Sequence, residues 1–398
     1  MRLFAACIFV VFSACSVSAC SCSAGDSMNG ADTSARADAA VDTAVADAPA
    51  DSSADARADV SSGRDAAHGD SGSGGDTGTD ACGGCPTGFT CGPSAYCVTP
   101  TGVPAFEHVY LIVMENHSLS SIQGNADTPY INGLMTSWAY ASNYVTRISN
   151  PIHPSLPNYI TITSSDPQGV GCDCSPTSNA STSAHLSCNS SLMDSSCPLS
   201  VTDHIGNSLD AAGVEWREYG EDMGSPCNVT DSGNYVARHI PLLYYVDVQT
   251  DTARCNSRVR DYGDFAADLI AGTYRFSMIS PNLCDDMHGN NPISALDTCG
   301  GVSAENNGDL WLAGQVPTIL ARSGFMAGGH DVLFIVWDEE DNSTGSEPLP
   351  LIIVSPLVTA GRSTAVAYDH ASLLATITDG LGAARVGIAA GPIHDIWR

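Results

Sequence analysis

Two uninterrupted apolar runs, Val109 to Met114 and Val332 to Trp337, each stop abruptly at polar residues: Glu115 and Asn116 after the first, Asp338 and Glu339 after the second. A run this short, without polar alternation, is the pattern of a strand buried on both faces of a sheet. Phe276 to Ile279 and Leu351 to Val354 are of the same kind. Helical patterns lie between them, carried by Leu134, Trp138 and Ala141, by Leu310, Leu312, Val316 and Leu320, and by Leu373, Leu374, Ile377 and Leu381. Alternating strands and helices predict an α/β fold, a layered structure with a central, mostly parallel sheet flanked by helices. In such a sheet ligands bind beyond the carboxyl ends of the strands. Glu115, Asn116, Asp338 and Glu339 are therefore expected in one crevice. Taken singly, each acidic strand end reads as a solvated loop. Gathered together, the carboxylates repel unless protons or a cation intervene, which points to a hard divalent ion with oxygen ligands.

A third segment adds a serine at a helix start. Asn150 to Tyr159 reads NPIHPSLPNY and is followed by the apolar Ile160 and Ile162. Pro157 suits the first turn of a helix, which places Ser155 at the N-terminus, where backbone N–H groups and the dipole favour an anion. By itself such a serine is an ordinary helix cap. Asn158 and His153 admit either a supporting or a packing role, and Asp309 reads as a helix cap.

Composition narrows the chemistry. The 398 residues carry a formal charge of −29, and the 15 basic residues are all Arg. Without lysine there is no P-loop lysine, Schiff base or Ser-Lys dyad. So acidic a chain is not expected to bind nucleic acid, because phosphate neutralisation needs a basic surface. No protein partner is evident. No GxSxG elbow surrounds any serine, which speaks against a Ser-His-Asp esterase.

The organisation is expected in four parts. Residues 1–20 carry Arg2, an apolar stretch from Leu3 to Phe12 and small residues before Cys20, the form of an export signal. Val17, Ser18 and Ala19 before Cys20 resemble a lipobox, which implies acylation of Cys20 and a lipid anchor to a membrane at the cell envelope, with plain secretion as the alternative. Residues 21–80 are almost entirely Ala, Asp, Ser, Gly and Thr, cannot bury a core, and are expected to form a disordered tether. Residues 81–100 hold Cys82, Cys85, Cys91 and Cys97, which behind an export signal read as a knot with two disulfides rather than a zinc site. Residues 101–398 form the large domain, whose cysteines at 172, 174, 188, 197, 227, 255, 284 and 299 allow up to four bridges. Cys172, Cys174, His185 and Cys188 resemble a metal cluster by type, but exported thiols usually oxidise.

The segments VYLIVMENHS, HPSLPNYITITS, SMISPNLCDDMHGN, GDLWLAGQVPTIL, FIVWDEEDN and YDHASLLATITDGLG stand in order over roughly residues 105 to 385. Together they resemble the bacterial and fungal phosphoesterase family that contains acid phosphatases and phosphatidylcholine-type phospholipases C, related to the alkaline phosphatase superfamily. The resemblance implies an alkaline-phosphatase-like layered fold and a phosphate ester as substrate. It implies one divalent metal ion held by Glu115, Asn116, Ser155, Asp338 and Glu339; the hardness of oxygen ligands favours Mg, Ca or Mn, and the nearby histidines leave Zn and Fe open. Ser155 would be the nucleophile, passing through a phosphoserine intermediate. His288 and His370 would hold the substrate phosphate, with Asp286 in the same group. Monoesterase and phospholipase C chemistry both fit; a noncatalytic surface-binding lipoprotein on a degenerate scaffold is the alternative from another class.

Overall fold

Strand β3 (Val109–Met114) is the axis of the molecule, and both of its faces are buried. Val109, Leu111 and Val113 enter one apolar core, while Tyr110, Ile112 and Met114 enter another on the opposite face. The same alternation holds in β8 (Val332–Trp337), where Val332, Phe334 and Val336 face one side and Leu333, Ile335 and Trp337 the other. Burial on both faces is why these strands show no polar alternation in sequence.

The computed structural model describes residues 81–146, 153–177, 197–289, 299–341 and 347–398, all within one compact unit, Gly74–Arg398. The leader 1–20 with Cys20, the tether 21–80, the stretch Asn150 to Ile152, and His185 and Cys188 lie outside the described residues.

Among the described residues the main sheet has nine strands. Beside β3 and β8 run β4 (Ala139–Val145), β5 (Trp216–Gly220), β6 (Val259–Asp261), β7 (Phe276–Ser280), β9 (Leu349–Val354), β10 (Ser363–Thr364) and β11 (Tyr368–Asp369). Their order is β10-β4-β9-β8-β3-β7-β5-β6, with β11 also paired to β4. Strands β8, β3, β7, β5 and β6 are mutually parallel. Strand β9 departs from the parallel expectation, running antiparallel to both β8 and β4. The link from Asp338 to Pro348 is too short for a crossover helix, so the chain turns back.

Helices cover both faces. On one side lie α1 (Leu119–Ile122), α2 (Pro129–Ser137) and α8 (Ala304–Leu320); on the other lie α3 (Ser155–Ser164), α4 (Ile205–Ala211) and α9 (His370–Leu381). The shorter α5 (Val246–Gln249), α6 (Thr252–Arg258) and α7 (Phe265–Ala271) flank β6. Two of the sequence-predicted helices differ in detail. Helix α2 ends at Ser137, with Trp138 as its C-cap and Ala141 already inside β4. In α8 the buried positions are Trp311, Leu312, Val316 and Ile319, and Leu310 faces solvent. Asp309 caps a helix, but not its own: it lies inside α8 and accepts from the N–H groups of Tyr130 and Ile131 at the start of α2.

Every residue of α3 is buried. Three of its hydroxyls are satisfied within the helix: Thr161 donates to the Pro157 carbonyl at 2.7 Å, and Thr163 and Ser164 to that of Ile160 at 3.0 and 2.9 Å. Local donation of this kind lets a Ser/Thr-rich helix sit in an apolar layer. It fixes the helix start, and with it Ser155, between the sheet and α9.

The cysteines among the described residues are oxidised. Cys82 pairs with Cys91 and Cys85 with Cys97 across a small hairpin of β1 (Thr90–Cys91) and β2 (Cys97–Val98), as expected for the knot. The large domain carries Cys174–Cys197, Cys227–Cys255 and Cys284–Cys299. Cys172 is also disulfide-bonded, so neither it nor Cys174 is a thiolate ligand.

Candidate active site

Strands β3 and β8 pair in parallel with Met114 opposite Trp337, so the residues that follow them, Glu115 and Asp338, emerge side by side. The backbone is stitched across this edge. The Glu115 N–H donates to the Asp286 carbonyl at 2.7 Å and the Asp338 N–H to that of Met114 at 3.0 Å. Asn116 takes a left-handed backbone conformation, φ 53°, which asparagine tolerates better than most residues. The turn lets its N–H donate to Asp338 Oδ1 at 3.2 Å and its Nδ2 to Glu115 Oε2 at 3.1 Å.

Ser155 completes the cluster. Its Oγ lies 2.9 Å from Glu115 Oε2 and 3.3 Å from Glu339 Oε1. Glu339 is held from behind, with His153 Nδ1 at 2.5 Å from Oε1 and Asn158 Nδ2 donating to Oε2 at 2.8 Å. Both residues left open in the sequence therefore act on Glu339. Burial raises Glu339 well above, and lowers His153 below, their ordinary values, so both favour their neutral forms.

Glu115, Asp338 and Glu339 are completely or almost completely buried and offer ligand oxygens within 4.8 Å of one another. Burial, and then mutual repulsion, raises Glu115 and Asp338 well above the usual carboxylate range. Glu115 Oε1, Asn116 Oδ1 and Asp338 Oδ2 are buried without a hydrogen-bond partner. Unpartnered acceptors gathered at one point are expensive unless something positive sits among them. The residues fit a divalent cation with oxygen ligands.

His239, not singled out by the sequence, joins this set. It lies in a 3₁₀ turn, Ala237–His239, fixed by the Ser280 hydroxyl on its carbonyl at 2.7 Å and by the Tyr159 ring stacked 4.9 Å away. Its Nδ1 contacts Asp286 Oδ2 at 3.0 Å, and its Nε2 stands 3.1 Å from Glu115 Oε1 without hydrogen-bond alignment. A proton on Nδ1, shared with Asp286, leaves Nε2 a bare lone pair, the form in which a histidine backed by a carboxylate binds a metal. Burial and then the Arg238 charge hold His239 well below its usual value, which keeps it neutral.

The residues assigned to substrate fare differently. Asp286 is fully buried and accepts from His239 and from the His288 N–H at 2.7 Å, so it orients both. His288 has a buried, unpartnered Nδ1, and burial followed by the Arg238 charge pushes it down to about 3. His370 bonds Tyr144 Oη through Nδ1 at 2.7 Å and the Asp338 carbonyl through Nε2 at 2.8 Å. It reaches the cluster only through that carbonyl.

Arg238 is the second residue that sequence reasoning missed. Its side chain is 3% exposed, with Nε 3.4 Å from Asp173 Oδ2. Asp173 Oδ1 in turn accepts from the Leu156 N–H, next to Ser155, at 3.0 Å. A guanidinium is thus tied, through Asp173, to the Ser155 end of α3.

A buried serine at a helix start thus faces strand-end carboxylates in a mostly parallel α/β sheet. The chain belongs to the phosphoesterase family, whose model matches residues 125–382, and it is an enzyme that hydrolyses phosphate esters. The match spans Ser155, His239, Asp338 and Glu339, while Glu115 and Asn116 precede it. The chain is similar to a Mycobacterium tuberculosis (strain ATCC 25618 / H37Rv) protein named phosphatidylinositol-3-phosphatase, 24% identical over 302 residues, 75% of this chain and 85% of that protein. Among solved structures it resembles an alkaline phosphatase superfamily protein from Vibrio parahaemolyticus, with TM-score 0.46, 11% identity, and 72% of this chain and 69% of that one covered. It also resembles the lipoteichoic acid synthase LtaP of Listeria monocytogenes, with TM-score 0.46, 10% identity and 79% of each chain covered.

Proposed function

We propose that the protein is a cation-dependent phosphatase in which Ser155 is the nucleophile. The observation that carries this reading is the placement of Ser155 Oγ 2.9 Å from Glu115 Oε2 among buried acceptors that lack partners. Glu115, Asn116, Asp338 and Glu339, with Ser155 itself, would hold one divalent ion, and His239 Nε2 stands beside them. Bound there, the ion would supply Lewis-acid stabilisation of phosphoryl oxygen and a lowered pKa for a hydroxyl in its sphere.

The chain's own groups do the rest. In its ionised form Glu115 or Glu339 takes the Ser155 proton along their hydrogen bond, Oγ attacks phosphorus in line, and the proton passes to the departing ester oxygen. The Ser155 N–H, at the start of α3, and the neutral His288 donate to the phosphoryl oxygens. Water then opens the phosphoserine and returns the proton to Oγ. Asp286, Asn158, His153 and His370 position these groups.

Within this class a phosphomonoester is the preferred substrate, and the name of the mycobacterial relative makes a phosphorylated inositol lipid one member of the panel to test. Phospholipase C-type diester cleavage is the alternative. We further infer export, with Cys20 as the site of a lipid anchor; the oxidised cysteines suit such a compartment. Mass spectrometry of the mature N-terminus tests the anchor. For the enzyme, Ser155→Ala should abolish p-nitrophenyl phosphate turnover and leave the melting curve cooperative. Near-normal activity in that variant would remove Ser155 from its role.

A further inference from the structure

Arg238 poses a problem of electrostatics that the hydrolytic machinery alone does not answer. Among the described residues it is the one arginine that is fully buried, and its Nε and Nη2 have no hydrogen-bond partner. A guanidinium carries five N–H donors in a planar fork that matches two oxygens of a carboxylate or phosphate at once. Its ion-pair partner among the described residues, Asp173, approaches Nε at 3.4 Å and does not form the two-pronged pair. Leaving such donors unsatisfied costs several kcal/mol unless a ligand meets them.

Its surroundings indicate which ligand. The Arg238 charge lowers the carboxyl groups of Glu115, Asp286 and Glu339 against the larger effect of burial, so it lies within electrostatic reach of the whole cluster. Through Asp173 it is tied to the Leu156 N–H in the first turn of α3. Asp173 itself sits between Cys172 and Cys174, both in disulfides, and is therefore held in place by the loop that carries it.

We propose that Arg238 is the phosphate anchor of this site, turning its free donors from Asp173 toward the non-bridging oxygens of a phosphomonoester. This rests on the hydrolase reading above and deepens it. A monoester carries about −1.5 to −2 charges at neutral pH and three free oxygens, whereas a diester carries one charge and two free oxygens. In a pocket already crowded with carboxylates, the second charge of the monoester needs a cationic partner of its own. Arg238 is that partner, and it biases the enzyme toward monoesters.

The test compares Arg238→Ala, Arg238→Lys and Asp173→Asn with the wild type on p-nitrophenyl phosphate and bis-p-nitrophenyl phosphate. Binding of inorganic phosphate is followed in parallel by calorimetry on the Ser155→Ala background, with and without added divalent cation. Arg238→Ala should weaken phosphate binding and monoester kcat/KM by about 100-fold, as for loss of one donor to reacting oxygens. The diester should lose at least about tenfold less, and Lys should recover part of the monoester rate. Asp173→Asn breaks the same ion pair but keeps the guanidinium, so it should retain phosphate binding. Should Arg238→Ala fail to fold, the Arg238→Ala/Asp173→Asn double variant removes both charges and serves in its place. Unchanged phosphate binding without Arg238, or equal loss in Arg238→Ala and Asp173→Asn, would overturn the assignment. A wild type inactive on both esters would sink the hydrolase reading instead, while calorimetry still decides the anchor.

Discussion

Glu115 is the residue on which the site turns. Its Oε2 accepts from Ser155 and Asn116, and its Oε1 faces His239 Nε2, so one carboxylate touches a hydroxyl, an amide and an imidazole. In the absence of a cation this arrangement is a liability: burial and the neighbouring Asp338 and Glu339 raise its pKa well above the ordinary value. Glu115→Gln removes the charge while keeping the shape. The cation-free variant should melt at a higher temperature than cation-free wild type, by about 1 kcal/mol or more in stability, as when buried charge is replaced by a neutral group. Its turnover should fall by more than about 100-fold, since even an outer partner of a metal ligand costs nearly that much. A calorimetric melt and a phosphatase assay on one sample check both signs. The sequence exposed Glu115, Asn116, Ser155, Asp338 and Glu339 because each ends a strand or opens a helix. Arg238 and His239 were hidden in a 3₁₀ turn, where no periodicity marks a face. The only sign of them was a charged pair inside the otherwise apolar stretch that continues to Val246.

At the scale of elements, the strands that build the crevice were legible because burial on both faces leaves an unbroken apolar run. The reversal of β9 was not, because strand direction depends on what the connection can hold and not on the strand's own residues. Nor was the end of α2, where Trp138 and Ala141 continue the apolar spacing after the helix has given way to β4. Helix α9 illustrates a tighter constraint. A Cβ on Gly380 would lie 2.1 Å from a ring carbon of Phe106, a buried residue just ahead of β3. Gly380→Ala therefore sets a helix-propensity gain of about 1 kcal/mol against an overpacking cost of about 1–3 kcal/mol. Packing should win, because the aromatic ring is walled in by Phe334 and Trp397. Urea denaturation should show a lower midpoint, and a raised one would mean that Phe106 can move aside.

For the molecule as a whole, the buried acids and histidines make stability depend on pH in opposite directions. Glu115, Asp286, Asp338 and Glu339 are raised by burial, so the folded cation-free chain holds protons that the unfolded chain has released. Their contribution is complete below the unfolded value of about 4 and is lost as pH rises through their folded values. His288 and His370 are lowered, to about 3 and about 4, so their contribution is complete above about 6.5 and is lost as pH falls. A cation competes with protons for the carboxylates and removes the first penalty. The Tm difference between cation-loaded and chelated protein should therefore widen from about pH 5 to about pH 8. A difference independent of pH would mean that the cation binds elsewhere.

The polarity of β3 has a consequence for how such a domain can be joined to other things. The chain arrives at the amino end of that strand by way of the disulfide knot, where the Tyr96 hydroxyl donates to the carbonyl of the last residue, Arg398. The Arg398 N–H bonds Leu357 just beyond β9, whose antiparallel course ends at the same pole. Glu115 and Ser155 stand at the opposite pole. Residue 81, where the described chain begins, and Arg398 thus both lie toward the pole away from Glu115 and Ser155, and a bead or a surface attached at Arg398 need not crowd the crevice between them.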